Sequence, residues 1–504
     1  MLILALYAEE NWRGYRAWQK YQQMMSARGE IFDTAAFIPP PVSDDQNFAM
    51  TPALAPLFDF YPGTQKWRNP MAQDPLHDLT AQFDSAAGLV KPHSLSHPNS
   101  WVRGHTDLGE WAAAFNQPLD SNNRRHGPLL STNLNSREGA TRVLEALSGF
   151  NPVLDELRRA SSRPFSRFNL RYEEDNPATI LLPHLAKIKY LCQILQLRCS
   201  AQLALTHIDE ALQELNLLFY LVDANHDEPV LISHLVRMAE LQMALQPLGE
   251  GMGQWSESQL RQIQDRIGHF DFCSDMARSL EAERVLFGGG VIEYLRRSHH
   301  KMSVMDEFER VAPAGSSVEV WPLGALFAAS PNGWFYLEER NYNRLFDQFL
   351  IPAIDVKNHQ IRPQTVVEAD AKIAEITGAP AAKRFFNHEF LSALLVPALS
   401  KMAEKAAFAQ TAVDTATLAC ALERYRLAHG QFPDSLEKLT PAFVSAVPHD
   451  IINGQPLSYH LVPGGHYVLY SVGWNGKDDG GVVHHNKSGE SDRNEGDWVW
   501  TDEF

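Results

Sequence analysis

AQTAVDTATLACALERYRLAHGQFPDSLEKL, residues Ala409 to Leu439, is followed after a short interval by PLSYHLVPGGHYVLYSVGWNGKDDGG, Pro456 to Gly481. In the first stretch Leu418, Leu422, Tyr425 and Leu427 can form an apolar stripe along a long helix. Gly430, just after His429, suits the left-handed cap that ends a helix. Gln431-Phe432-Pro433 then leads to a second short helix predicted at Ser435 to Leu439. In the second stretch Leu457 to Leu461 and His466 to Ser471 alternate as strands do, and Pro463-Gly464-Gly465 joins them as a hairpin. A long helix, a turn and a small antiparallel sheet thus close the chain, which carries DWVW at Asp497 to Trp500.

Working outward, Gly378, Ala379 and Pro380 separate this α+β region, residues 380–504, from what precedes it. Residues 141–377 form an α-helical, repeat-like domain, and its apolar periodicity is strongest over 141–285. Ile208, Leu212, Leu215, Leu218 and Phe219 recur at helical spacing, and Ser256 with Gln259 three residues on is a capping-box pattern. Asp227, Glu228 and Pro229 read as an acidic, proline-bearing helix start. Gly288-Gly289-Gly290 is expected to end a helix in a turn. Residues 61–140 are turn-rich and predict irregular structure with short helices. Residues 1–60 combine an aromatic helix over 9–30, stopped by Gly29, with an extended segment bearing Pro39, Pro40, Pro41, Pro52 and Pro56. The fold class is therefore mainly α: an irregular helical-repeat or bundle domain followed by a small α+β domain with an antiparallel sheet.

The net charge of −17, from 61 acidic and 44 basic residues, argues against a nucleic-acid-binding surface, which needs clustered Lys and Arg. The four cysteines, at 192, 199, 273 and 420, lack zinc spacing and are too few for a disulfide framework; they read as buried thiols. MLILALYA, residues 1–8, is far shorter than the ~20 residues of a membrane span. It reads either as the buried first turn of the helix that follows or as the outer end of a longer anchor. Membrane anchoring is expected only in the second case.

Chemical motifs are sparse. The nucleotide-binding patterns GxxxxGK[ST] and GxGxxG and the hydrolase elbow GxSxG do not occur. Asn387-His388-Glu389 begins like a zinc-peptidase HExxH, but Ser392 stands where the second histidine is required, so a capped helix start is expected there. The adjacent pairs His299-His300 and His484-His485 point apart on regular backbone and are expected in solvent. His226, Asp227 and Glu228 form a polar knot between apolar helices, and helix capping accounts for them. An enzyme of unknown class is the alternative. Its site would lie between the loop-rich and helical regions, where His93, His97, His105 and Asp107 cluster in sequence.

The order of a helix ending in Tyr425, Gly430, an aromatic-Pro pair, a hairpin and the run YSVGWNGKDDGG resembles the globular head of the type II secretion major pseudopilins, over roughly the last quarter of the chain. The chain as a whole is similar to large bacterial proteins with the same order of regions, a similarity that implies no activity. The departure lies at HEFLSALLVPALSKMAEKAAFAQ, 388–410, which is internal, is interrupted by Lys401 and Glu404, and cannot span a bilayer as the pseudopilin amino-terminal helix does. The resemblance implies a non-enzymatic, modular envelope protein with a scaffold or protein-binding role, related to secretion or pili; stacked helix hairpins over 141–285, which bury one face and leave another extended, predict protein partners on their concave face. It implies a cell-envelope or periplasmic location, or a cytoplasmic one if Met1 is the true start. It also implies calcium in the C-terminal loop, with Asp479, Asp492 and Asp497 as metal ligands and Asp478 and Glu495 nearby.

Overall fold

The computed structural model describes residues 1–90, 104–120, 124–125, 129, 134–174, 176–298, 326–327, 329–397, 399, 401–487 and 491–502. His93, His97 and the His299-His300 pair lie outside the described residues. The chain is mainly helical, with small antiparallel sheets near its C-terminal end. Among the described residues no helix is long and apolar enough to cross a membrane.

Helix α1, Leu2–Ser26, starts earlier than its aromatic pattern predicts. Residues 2–8 belong to it, yet Ile3, Leu4 and Leu6 are exposed, so the expectation of a buried first turn is corrected. On its later turns Trp18, Tyr21 and Met25 pack inward, with Phe32 closing over them. The proline-bearing segment after it advances in short 3-10 turns that seat Phe48, Leu54 and Leu57 in the main core. Helices α2 (His77–Ala87) and α3 (Leu108–Asn116) are short, as the turn-rich composition predicts.

From α4 (Ser136–Ala146) and α5 (Asn151–Ala160) the chain runs into three long helices, α6 (Pro183–Ala204), α7 (Ile208–Asp223) and α8 (Leu231–Glu250), which pack on one another. The brief connections make neighbours of consecutive helices. Helix α9 (Glu257–Ile267) starts with the predicted capping box of Ser256 and Gln259. Helix α10 (Phe272–Ala282) does not stop at the glycines. It passes through a π-helical turn, Glu283–Gly288, into α11 (Gly289–Arg297), so the expected helix-ending turn is absent. The reason is close packing. A Cβ on Gly288 would meet the Tyr342 hydroxyl at 1.9 Å, and one on Gly290 would meet Pro177 at 2.7 Å.

Helix α12 (Asn332–Leu345) packs along α1 and leads into a second π turn, Phe346–Leu350. A two-residue ladder of β1 (Ile354–Asp355) and β2 (Gln360–Ile361) precedes α13 (Pro363–Gly378), α14 (Ala381–Phe386) and α15 (Phe390–Leu395). The helix start at Asn387-His388-Glu389 is capped from a distance. The buried Glu338 carboxylate of α12 accepts the amides of Phe390 (3.1 Å) and Leu391 (3.0 Å), and burial pushes its carboxyl up to about 8 despite those donors.

Helix α16, Met402–His429, ends at Gly430 in the predicted left-handed conformation, φ +79°. Its burial differs from the expected stripe. Nearly every residue from Met402 to Arg424 is buried, whereas Leu427, assigned to the stripe, is exposed. The physical cause is a second packing partner. One side of α16 meets α8, α9 and α10, and another meets a three-stranded sheet ordered β3 (Ser458–Val462), β4 (His466–Ser471) and β7 (Trp498–Thr501). Register pairs Ser458 with Tyr470 and Ser471 with Trp498, and Trp498 meets Phe408 edge-on at 5.3 Å. A separate ladder joins β5 (Val483–His485) to β6 (Ser491–Gly496). All four cysteines are buried free thiols, as expected.

Small side chains permit this crowding: Ala406, Ala412, Ala416 and Ala419 have no exposed surface. Ala416→Leu is expected to destabilise the protein by about 1–3 kcal/mol through overpacking, read as a lower midpoint in chemical denaturation. An unchanged midpoint would show slack around α16 that close packing does not allow.

Candidate functional site

The polar knot that the sequence singles out is the partly exposed edge of a buried charge network, and its acids do not cap α8. The residue before α8, Val230, offers no side-chain cap. Glu228 instead turns inward. One of its oxygens accepts the Ser233 hydroxyl and the other stands 2.8 Å from Nε2 of the fully buried His184. Helix capping as the account of Glu228 is therefore corrected: the buried carboxylate meets Ser233 and His184, side chains of the helices packed around it, rather than the free amides that open α8. One turn further along α8, Arg237 has no exposed surface. Its guanidinium donates to Asp275 (2.7 Å) and to the Val222 carbonyl (3.0 Å), reaches Asp223 at 3.4 Å, and lies over the Phe272 ring.

Hydrogen bonding settles the state of His234. Its Nε2 donates to the Glu228 carbonyl (2.8 Å) and its Nδ1 accepts from Arg237 (3.1 Å), which requires the neutral ring. Burial, with Arg237 adding to it, pulls its pKa down to about 4. His226 behaves in the opposite way. Asp227 at 3.2 Å and Asp275 at 3.1 Å hold the imidazolium and push its pKa up to about 10 against burial. Further inside, Glu240 is fully buried with neither oxygen partnered among the described residues, and burial holds its carboxyl well above the ordinary range. Asn225 is equally buried, and both its side-chain amide atoms lack partners among the described residues.

The outer edge of this network is the wall of a groove. A cavity of about 810 Å³ opens between α5, α7 and α9, and Asp223, the residue that Arg237 reaches, lines it. Tyr220 and Asn216 present the polar face of α7 to it, opposite the buried Leu215 and Leu218. Three guanidiniums converge there. Arg158 is shared between Asp155 and the buried Glu214, which Arg198 also holds at 2.8 Å. Arg163 donates to the Asn47 carbonyl at 2.8 Å. Arg266 lies over the Tyr220 ring at 5.8 Å and has no carboxylate within ion-pair distance among the described residues. Ser161 donates to the Arg158 carbonyl at 2.8 Å, and His269 Nδ1 faces the Asp265 carbonyl.

The other described residues singled out by sequence do not converge on this groove. His105 is exposed, and Asp107 caps α3 by accepting the Glu110 amide at 2.9 Å. Between them Thr106, which the sequence does not mark, binds Glu250 at the end of α8 through both its amide (2.9 Å) and its hydroxyl (2.7 Å). His484 and His485 are exposed on β5, as expected. In the C-terminal loop the three aspartates differ. Asp497 is buried and accepts the amides of Gly481 (2.7 Å), Asp479 (3.1 Å) and Val482 (3.3 Å). Burial, the largest influence on it, raises its carboxyl pKa. The Asp479 side chain faces solvent, while Asp492 on β6 accepts the Asn494 amide at 3.0 Å. Among the described residues no three His, Cys, Asp or Glu side chains gather in a metal-holding group.

No protein-family model, curated protein or solved structure matches the chain. The groove residues were illegible beforehand, since Arg158, Arg163 and Arg266 come from separate segments with no common spacing. The one local signal was the polar face of α7 at Gln213, Asn216 and Tyr220, spaced by three and four.

The state of His226 carries a pH signature. Its folded pKa lies above the ordinary 6.5, so its contribution to stability is fully present below about 6.5 and is lost as pH rises through about 10. His226→Gln, which keeps a polar side chain but no charge, should destabilise the protein more at about pH 6 than at about pH 10. The side chain is nearly half exposed, so solvent screening keeps the difference small. Equal destabilisation at both pH values would remove the charged pair from the network.

Proposed function

We propose that the protein is a non-enzymatic scaffold that binds an acidic segment of a protein partner in the groove between α5, α7 and α9. The observation that carries this is the convergence of three guanidiniums on an open groove of about 810 Å³ in a chain whose net charge is −17. Arg266, stacked on Tyr220 and lacking a carboxylate partner among the described residues, is the most available of them. A planar guanidinium that can pair in two-pronged fashion with a carboxylate favours Asp and Glu side chains over other anions of similar size. The groove lies within 141–285, where the helix pattern predicted a partner surface. An envelope location rests on the pseudopilin resemblance of residues 380–504 and on the apolar residues 2–8, and a link to secretion or pili on that resemblance alone.

A fluorescently labelled, glutamate-rich amphipathic peptide should bind the full chain, with an affinity that falls as salt is raised, and its lysine-substituted counterpart should not bind. Arg163→Glu with Arg266→Glu should weaken binding by roughly tenfold or more, equivalent to about 1.4 kcal/mol. Equal binding of both peptides, or no effect of the charge reversal, would end this assignment.

Calcium in the C-terminal loop is proposed on the sequence pattern of Asp479, Asp492 and Asp497. Because Asp497 already accepts backbone amides, replacing it would harm the loop with or without metal; Asp492→Asn is the cleaner probe. Millimolar calcium should raise the melting temperature of the full chain, and Asp492→Asn should remove the rise while leaving the calcium-free melting temperature unchanged. The absence of any rise in the unmutated chain dismisses the calcium site.

A further inference from the structure

A second cavity, of about 440 Å³, lies on another part of the molecule, between α1, α11 and α12. Its walls are aromatic: Tyr15 and Trp18 from α1, Phe32 from the turn after it, and Tyr336 from α12. Tyr15 meets Tyr336 edge-on at 5.5 Å, and Phe32 meets Trp18 edge-on at 5.7 Å. One side is built by the π turn Glu283–Gly288, which supplies Arg284 and Val285. A π turn shifts the helix register by one residue and is frequent at functional sites.

The charges around this cavity are unevenly satisfied. Arg284, without exposed surface, donates to Asp347 at 2.6 Å and is paired with Glu30, so its charge is answered. Glu293 is held by both Arg296 and Arg297. Arg296 also stacks over the Tyr336 ring at 4.6 Å, which places one cation on an aromatic wall of the site. Glu339 stands apart. It lines the cavity, and its carboxylate has no hydrogen-bond or ion-pair partner among the described residues. Burial, reinforced by Glu293 and opposed by Arg296, pushes its carboxyl up to about 8.

We propose that this cavity binds a small organic cation of the alkylammonium class, with Glu339 as its counter-ion and the rings of Tyr15, Trp18 and Tyr336 as its aromatic walls. A carboxylate and several ring faces around a cavity of this size match an ammonium group bearing short alkyl chains, through an ion pair and cation–π attraction together. The guanidiniums lining the cavity pair with Asp347, Glu30 and Glu293, while the carboxyl of Glu339 has no hydrogen-bond or ion-pair partner among the described residues and is the group left to meet a cation. Entry of a cation stabilises the ionised form of Glu339, so binding at neutral pH releases a proton. The groups that set this balance are Glu293, Arg296 and Arg297 from α11, Arg284 from the π turn, and Tyr15 of α1 with Tyr336 of α12.

Isothermal titration of the full chain with n-butylammonium and tetramethylammonium, against n-butanol and butyrate as neutral and anionic controls, tests the site. The two cations should bind, the controls should not, and the binding heat should vary with the ionisation heat of the buffer in proportion to the proton released. Glu339→Gln should weaken cation binding by more than about tenfold and abolish the buffer dependence. Tyr15→Leu should weaken binding at an exposed position that is not part of the core, and Tyr15→Phe should restore it. Binding of n-butanol as strong as that of n-butylammonium, preferential binding of butyrate, or no heat from either cation at millimolar concentration would overturn the proposal. Unchanged binding in Glu339→Gln would do the same, and circular dichroism of each variant separates lost binding from lost folding.

Discussion

Helix α16 loses nearly all contact with water from Met402 to Arg424, and that single burial ties the C-terminal sheet to the helical body. A helix buried on every side cannot rely on an apolar stripe; it needs small residues where neighbours approach and polar residues whose bonds are satisfied inside. Both are present. Alanines let α8, α9 and α10 draw close, while Gln410 accepts the Phe272 amide at 2.8 Å and donates to Asp414 at 3.0 Å. Arg424 binds Glu257, Gln264 and the Phe443 carbonyl, joining α9 to the turn beyond Gly430. The wall of the groove supplied by α9 is thus held by the same helix that supports the sheet.

Two fully buried guanidiniums organise the rest. Arg237 gathers Asp275, Asp223 and His234 at the meeting of α7, α8 and α10, and Arg284 gathers Asp347 and Glu30 where the two π turns meet the chain leaving α1. Removing a guanidinium from water costs several kcal/mol, which its partners offset only when the geometry is good. Such groups contribute less to net stability than to uniqueness, since a helix shifted by one residue would leave a buried charge unpaired. Each of the two lies beside a cavity. Arg237 backs the groove through Asp223, and Arg284 lines the aromatic cavity directly. Rigid charge networks beside open sites keep the site residues in place, each contributing one member to the lining.

Legibility followed the range of the interaction. The capping box at Ser256 and Gln259, the left-handed Gly430 and the hairpin at Pro463-Gly464-Gly465 depend on residues within a few positions of one another, and each was readable. Glu228 was misread because its environment is made by His184 and Ser233 rather than by the helix start it precedes. The start of α15 is capped by Glu338, more than fifty residues earlier in the chain. The triple glycine was read as a break because its packing partners, Tyr342 and Pro177, are remote in sequence.

Helix content, the order of regions, the buried state of the cysteines and the excess of acidic charge were determined by the sequence alone, because composition and short-range periodicity act before any tertiary contact forms. Tertiary structure alone decided which residues face one another. It chose the all-round burial of α16, the neutral ring of His234 set between Arg237 and a backbone carbonyl, and the convergence of Arg158, Arg163 and Arg266 on one groove. It likewise brought Tyr15 to one cavity with Glu339 and the π turn, both more than two hundred and fifty residues further along the chain. Desolvation and ion pairing depend on distances in space, and no spacing along the chain encodes them.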